Sequence, residues 1–337
     1  MFKIGIIGLG SIGFRHLKNI LTEIPIKKVW VFDIDKSLCV NKIKKLENDK
    51  VDCVEDIENI LDKNVDIVFI CSPNVYHFQH ALVFIEHGIP LFIEKPVTIY
   101  SKDCVILKEK AKAPIFVGCN MRYHPAIKKA KEVIKLNLLG KIVSANAFYG
   151  HDLKNWRSGV DYRNTYSAKK EMGGGILLDG VHELDYLIWL FGEVKKGYCS
   201  YMHSGLLEIE TEDVAKIILF YEMEILSTIS LDYIQPFKRR GLEIVGSKGT
   251  FIWESRGKSP ELVRIELLTR DKQKVLQENS FNDLNVCYIE EIREIFEVLS
   301  GKDISNTNLL RIGEACKTID IIECFKECGY YERNNAL

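Results

Sequence analysis

The sequence predicts an α/β chain in two parts. A doubly wound parallel sheet spans residues 1–122, and an α+β domain with a largely antiparallel, open sheet spans 123–337. Three observations carry this. Short apolar runs alternate with helix-period segments up to about residue 120, as strands buried on both faces alternate with crossover helices. Beyond Tyr123, strand signals follow one another with short turns, which is antiparallel pairing. A chain of 337 residues also exceeds the usual length of one domain.

In the first part, residues 2–7 form an apolar strand, and Ile12, His16, Leu17, Ile20 and Leu21 then recur at helical spacing. Further apolar strands are expected at 29–32, 65–70, 90–93 and 114–117, with helices at 36–47, 56–62, 75–88 and 101–112. Right-handed crossovers make such a series doubly wound. In the second part, a helix at 124–137 carries Ile127, Ala130, Val133 and Ile134 on one side. Strands are expected at 141–149, 212–221, 224–233, 240–246 and 249–254, with Gly246-Ser247-Lys248-Gly249 turning the last pair. An apolar helix spans 180–191, and helices at 284–300 and 308–328 close the chain.

Composition narrows the function. Lys plus Arg number 46 against 47 Asp plus Glu, so no basic field exists to hold a nucleic acid or an anionic membrane. A small-molecule partner fits better. The ten cysteines are irregularly spaced and form no Cys-x-x-Cys pair, which reads as free thiols in a reducing compartment with no metal site. Met1-Phe2-Lys3 leads directly into a strand, and apolar runs such as 187–191 fall far short of the roughly 20 residues of a membrane span. A soluble, cytoplasmic protein is expected.

Gly8-Leu9-Gly10-Ser11-Ile12-Gly13 lies between the first strand and the first helix. Gly8 permits the tight turn, Gly10 lets a pyrophosphate approach the backbone, and Gly13 lets the helix pack on the strand. The open N–H groups of the helix start then face phosphate. A glycine turn alone is weak, but the context adds Asp33 at the end of the second strand, 33 − 13 = 20 residues on. Its carboxylate suits ribose hydroxyls and repels a 2′-phosphate, which favours NAD over NADP, although Lys36 nearby softens that repulsion. Ser72, Asn74 and His77 follow the 65–70 strand, where a parallel sheet opens to ligand; the same residues also suit helix capping.

Glu94-Lys95-Pro96 follows another buried strand. A lysine there faces the cofactor crevice, where partial burial and the nicotinamide charge would suit it to proton transfer; a simple Glu94–Lys95 ion pair is the alternative. In Gly173-Gly174-Gly175-Ile176-Leu177-Leu178-Asp179-Gly180-Val181-His182, the glycines allow close backbone approach and the helix puts Asp179 and His182 on one face. His182 can take a hydroxyl proton while a carboxylate fixes its tautomer.

With these residues in view, the chain resembles the Gfo/Idh/MocA oxidoreductases, named for glucose–fructose oxidoreductase, inositol dehydrogenase and a rhizopine-catabolism protein. The resemblance runs through the glycine turn, Ser72-Pro73-Asn74-Val75-Tyr76-His77, Glu94-Lys95-Pro96 and Asn120-Met121-Arg122-Tyr123-His124-Pro125. It continues through Trp156-Arg157, the triple glycine with Asp179 and His182, and Tyr288. It implies a Rossmann domain, an open sheet that builds homodimers or homotetramers, and hydride exchange with a sugar, cyclitol or sugar nucleotide. The family's catalytic lysine falls on Lys95 and its histidine on His182. Its aspartate sits four residues before the histidine, whereas Asp179 sits three before. Arg122, His124, Trp156 and Arg157 would line the substrate side. The stretch 161–166 resembles a subgroup linked to bacterial surface sugars, with Arg157 and Arg163 suited to an acidic or nucleotide-linked sugar. Alternatives are an NAD-dependent glycoside hydrolase or epimerase with transient redox, and a non-catalytic dinucleotide sensor.

Overall fold

The computed structural model describes residues 1–157 and 159–333. The chain begins with β1 (Phe2–Ile7), α1 (Ser11–Glu23), β2 (Ile26–Phe32), α2 (Lys36–Lys44), β3 (Val51–Cys53) and β4 (Ile67–Ile70). It continues through α3 (His77–Ile85), β5 (Leu91–Ile93), α4 (Ser101–Lys110) and β6 (Ile115–Val117). Then come α5 (Pro125–Lys135), β7 (Ile142–Gly150), α6 (Ile176–Asp179), α7 (Val181–Phe191), β8 (Val194–Met202), β9 (Val214–Tyr221) and β10 (Leu226–Asp232). The last elements are β11 (Arg239–Gly246), β12 (Gly249–Arg256), β13 (Glu261–Thr269), β14 (Gln273–Phe281), α8 (Asn285–Leu299), β15 (Leu310–Arg311), α9 (Ile312–Cys328) and β16 (Tyr330–Glu332).

The first sheet has the order β15-β6-β5-β4-β1-β2-β3. All its pairs are parallel except β15 on β6. Without β15 this is the doubly wound order 3-2-1-4-5-6, in which ligands bind beyond the carboxyl ends of the strands. β4, β5 and β6 are buried along their whole length, as their unbroken apolar sequences require.

The second sheet has nine strands, β14-β13-β12-β11-β7-β10-β9-β8-β16, antiparallel throughout except for β7 with β10. One face is the core: Ala145, Ala147, Ile217, Leu219, Ile229, Leu231, Leu242, Ile244, Phe251 and Trp253 are each at most 2% exposed. The other face alternates polar residues with exposed Tyr198, Met202, Ile218, Leu226 and Leu262.

The chain packs as two units, Met1–Tyr123 with Asn285–Asp320, and His124–Leu284 with the residues from Ile321 on. The expected division falls once, after residue 122; the packing also returns Asn285–Asp320 to the first unit. Helix α8 returns because its apolar face needs cover: Phe296 meets Phe2 at 4.8 Å and Phe69 at 6.3 Å, and Asn285 exchanges hydrogen bonds with Asn19. Periodicity reveals such a helix but not the sheet that receives it.

The local expectations differ from the structure in four ways. The helix expected at 56–62 is a 3-10 turn, Glu58–Lys63. The helix expected from 308 starts at Ile312, because Leu310 and Arg311 pair with Val117 and Phe116. β3, β8, β13, β14 and β16 were not anticipated; β14 is exposed on most positions and so lacks an alternating apolar signal. Finally, Cys104 and Cys316 form a disulfide, with Cα atoms 5.5 Å apart across 212 residues, against the expectation of free thiols throughout. Only the packing of α4 against the start of α9 brings them together. The remaining eight cysteines are free, and no candidate metal cluster exists among the described residues. No described helix is long and apolar enough to cross a membrane.

Candidate active site

The glycine turn joins β1 to α1, and each glycine answers a different demand. Gly8 has φ +88, and a Cβ there would lie 2.7 Å from Ser72 N. A Cβ on Gly13 would fall 1.9 Å from Gly8 O, so the helix can approach the turn only as glycine. Gly10 is the contrast: nothing lies within 4 Å of the position a Cβ would take. That side of the turn is open, as a pyrophosphate requires. Helix α1 starts at Ser11 and Ile12 with no side-chain cap, leaving its first amides for an anion.

Asp33 closes the turn from the end of β2. Its Oδ2 accepts from Leu9 N–H at 2.5 Å and its Oδ1 from Asp35 N–H at 2.9 Å. A carboxylate has about four lone-pair sites, so two remain for ribose hydroxyls. Lys42 reaches the same turn from α2, donating to Leu9 O at 2.6 Å and Gly10 O at 3.3 Å. Burial lowers its pKa, opposed by the charge of Asp33. Lys36 pairs instead with Glu55, so the lysine beside Asp33 is Lys42.

After β4, Ser72 Oγ lies 2.9 Å from His80 Nδ1, and Asn74 is 7% exposed. His77 is completely buried, with Nδ1 2.9 Å from Pro96 O and Nε2 2.8 Å from Ser72 O. Burial lowers its pKa. His77 therefore ties two loops together and does not present an imidazole to ligand, as had been expected of it.

Glu94, Lys95 and Pro96 leave the carboxyl end of β5, with a cis bond between Lys95 and Pro96. Glu94 Oε1 accepts from His16 Nε2 at 2.6 Å, and Glu94 Oε2 accepts from the Lys95 backbone N–H at 3.1 Å. Burial raises the Glu94 pKa, but the His16 hydrogen bond and the neighbouring charges of His16 and Lys95 outweigh it, and the net shift is downward. Glu94 thus acts through its carboxylate on its own turn, with the Lys95 charge beside it.

In the other unit, Asp179 ends α6 and is 3% exposed. Three hydroxyls donate to it: Tyr166 to Oδ1 at 2.8 Å, Ser167 to Oδ2 at 2.7 Å and Tyr233 to Oδ2 at 2.6 Å. Burial, and then the Asp179 charge, raise both tyrosine pKa values well above normal, which keeps the donors protonated. The glycine run explains how the donors arrive. A Cβ on Gly174 would lie 2.3 Å from Tyr166 O, and one on Gly175 (φ +109) 2.2 Å from Glu212 Oε1. His182 follows on the first turn of α7, half-buried, and beside it Glu183 is fully buried. Glu183 accepts a bidentate pair from Arg240 at 2.6 and 3.1 Å, and the guanidinium lies 4.6 Å from the Tyr149 ring centroid.

The expected substrate residues divide. Arg122 is 3% exposed and donates to Glu314 at 3.1 Å and Leu309 O at 3.4 Å, so it ties together its own unit. His124 caps α5, accepting from Ala126 N–H at 3.2 Å, and packs 4.7 Å from the Trp253 ring. Burial pushes its pKa down to about 3. Both were expected against substrate; burial gives them structural positions instead. Arg163 is exposed but neutralised by Asp161 at 2.7 Å and Glu208 at 3.1 Å. Trp156 and Arg157 line a small cavity of about 10 Å³, with Leu153, Val160, Tyr162, Thr165 and Ser167. Arg157 lies 5.0 Å from the Tyr166 ring centroid. The sequence reading missed the His16–Glu94 link, Lys42, the hydroxyl trio on Asp179 and the Glu183–Arg240 pair. A histidine inside the apolar stripe of α1 was the one visible signal among them.

A 3-2-1-4-5-6 sheet with an uncapped glycine turn and an acidic residue ending β2 defines the NAD-binding oxidoreductase class. Residues 2–114 match the model of the oxidoreductase family NAD-binding Rossmann fold, and residues 127–252 match the GFO/IDH/MocA C-terminal domain. The chain belongs to the Gfo/Idh/MocA oxidoreductase family. It is 27% identical to an uncharacterized oxidoreductase, YrbE, of Bacillus subtilis, over 88% of this chain and 85% of that one. It is 26% identical to the myo-inositol 2-dehydrogenase of Thermotoga maritima, over 73% of each. Other relatives are matched over about half of their own length. An oxidoreductase from Agrobacterium radiobacter, solved with NAD+, L-tartaric acid and magnesium, superposes with TM-score 0.82 at 18% identity over 98% of both chains.

Proposed function

We propose that this protein transfers a hydride between NAD and a hydroxyl or keto carbon of a sugar, cyclitol or sugar nucleotide. The single observation that carries the reading is the position of Lys95. It leaves the carboxyl end of β5, two strands from the glycine turn at the end of β1 in a parallel sheet. Two strand spacings are about 10 Å. A dinucleotide whose pyrophosphate rests on the Gly8–Gly13 turn and whose nicotinamide extends over β4 brings its reactive ring toward Lys95.

NAD, when bound, supplies the hydride chemistry. The chain supplies binding, aim and proton handling. Gly8, Gly10, Ser11, Ile12 and Gly13 take the pyrophosphate, and Asp33 takes the adenosine ribose, which favours NAD over NADP. Ser72 and Asn74 lie along the path to the nicotinamide. Lys95 and His182 are the proton-transfer groups in this reading, and Asp179 is the fixed anion beside His182. Trp156 and Arg157 are the substrate contacts, with Arg163 at the rim. Residues 1–122 thereby serve the dinucleotide and the rest of the chain the substrate.

A homodimer or homotetramer joined through the outer face of the nine-stranded sheet belongs to the same reading. Exposed Tyr198, Met202, Ile218, Leu226 and Leu262 support it, since a solitary antiparallel sheet would carry a more polar face there. Light scattering after gel filtration tests it. We place the protein in the cytoplasm, on its eight free cysteines against the single Cys104–Cys316 disulfide.

The decisive assay screens sugars, cyclitols and sugar nucleotides for absorbance change at 340 nm with NAD or NADH. Lys95→Ala is expected to remove most turnover while NADH still binds. Near-normal kcat in that variant refutes the assignment. Product formation with no net NADH would point to the hydrolase or epimerase alternative.

A further inference from the structure

The structure reserves a buried histidine for a purpose the dinucleotide turn does not need. His16 lies on α1, the helix that starts at the glycine turn, and is 0% exposed. Its ring is enclosed by Phe92 at 5.0 Å, Phe69 at 5.8 Å and Tyr288 at 5.8 Å between centroids. Its Nδ1 is buried and has no hydrogen-bond partner. Its Nε2 makes one contact, to Glu94 Oε1 at 2.6 Å. A polar ring in an aromatic cage costs stability unless its one bond serves something. A leucine would fill the same space without an unpartnered nitrogen.

The bond leads to Lys95. The other oxygen of the Glu94 carboxylate accepts the backbone N–H of Lys95 at 3.1 Å. Gly118, on the loop after β6, leaves room for that carboxylate, since a Cβ there would lie 3.1 Å from Glu94 Oε2. A continuous line therefore runs from α1, through imidazole and carboxylate, to the peptide that carries Lys95.

We propose that His16 is a positioning residue: through Glu94 it fixes the backbone of Lys95 relative to the helix that holds the cofactor's phosphates. The inference rests on the reading of Lys95 as the proton-transfer group. His16 touches neither substrate nor cofactor in this scheme. Its effect is registration, since the same helix that cradles pyrophosphate also sets where the lysine emerges. A misplacement of about 1 Å at such a group costs about 100-fold in rate.

The test uses the full-length protein with NADH and compares His16→Leu, His16→Gln, Glu94→Gln and Lys95→Ala. Glutamine can place an amide N–H near the position of Nε2 and so restore the donor. Glu94→Gln keeps the shape and guards against failure of His16→Leu to fold, because one carboxamide oxygen cannot accept from both His16 and the Lys95 amide. The first readout is amide hydrogen exchange at Lys95, which needs no substrate. It is expected to quicken by about tenfold or more in His16→Leu and Glu94→Gln, and to return most of the way in His16→Gln. The second is kcat and the KM for NAD with the sugar giving the largest signal at 340 nm. A fall of about 10- to 100-fold in kcat is expected, with KM for NAD within about threefold and rescue by glutamine. Unchanged exchange at Lys95 in the folded variants overturns the proposal. So does faster exchange with unchanged kcat, or a glutamine variant no better than leucine. Lys95→Ala separates the two levels: normal turnover there overturns the role of Lys95 itself, whatever His16 does.

Discussion

Replacing Asp179 by Asn tests whether this residue is a free catalytic group or a buried anchor. Three hydroxyl donors converge on its carboxylate within 2.6–2.8 Å, and the residue is 3% exposed. A hydrogen bond to a charged group contributes about 1.5–3 kcal/mol, against about 0.5–1.5 kcal/mol for a neutral one. An asparagine whose amide oxygen takes the place of Oδ2 keeps Ser167 and Tyr233 as donors, and its NH2 turns toward Tyr166, whose hydroxyl can rotate to accept. Each of the three bonds then loses about 1 kcal/mol of charge assistance, or about 3 kcal/mol in sum. Asp179→Ala should cost more, because three buried hydroxyls lose their acceptor. The assay is urea unfolding followed by circular dichroism, with Tyr233→Phe alongside to remove a single donor. The expected order of destabilisation is Ala, then Asn, then Tyr233→Phe. An unfolding free energy for Asp179→Asn within about 0.5 kcal/mol of wild type, roughly the precision of the method, would refute the anchoring role.

The glycine turn gives a paired prediction. Gly10→Ala should fold normally but weaken NADH binding about tenfold or more, read by nicotinamide fluorescence, whereas Gly13→Ala should lose thermal stability as well, because its Cβ meets Gly8 O. Asp33→Ser should improve the ratio of NADP to NAD in kcat/KM by about tenfold or more, since it removes the carboxylate that repels a 2′-phosphate; an unchanged ratio would move that discrimination to another residue. Arg240→Met leaves the fully buried Glu183 carboxylate unpaired and should destabilise the protein by about 3–5 kcal/mol, measured as a fall in unfolding midpoint. Arg163→Ala, at an exposed pair, should cost at most about 1 kcal/mol.

The sequence by itself determined the local chemistry of this protein. The apolar runs of β4, β5 and β6, and of β1 from Ile4 on, are buried because nothing polar in them could face water, and their alternation with helices leaves a parallel sheet as the arrangement. The three glycines and Asp33 were legible for the same reason: each requirement is met within one turn, by backbone conformation and a short reach. Tertiary structure decided everything that depends on which distant surfaces meet. His124 and Arg122 look like ligand residues in a motif, but burial commits one to a helix cap and the other to Glu314. The three hydroxyls on Asp179 come from positions 166, 167 and 233, the partner of Glu183 from position 240, and the partner of Glu94 from position 16. No periodicity links those positions. Side chains find such partners only when strands and helices pack, because a buried polar group takes whichever donor or acceptor the fold brings within about 3 Å.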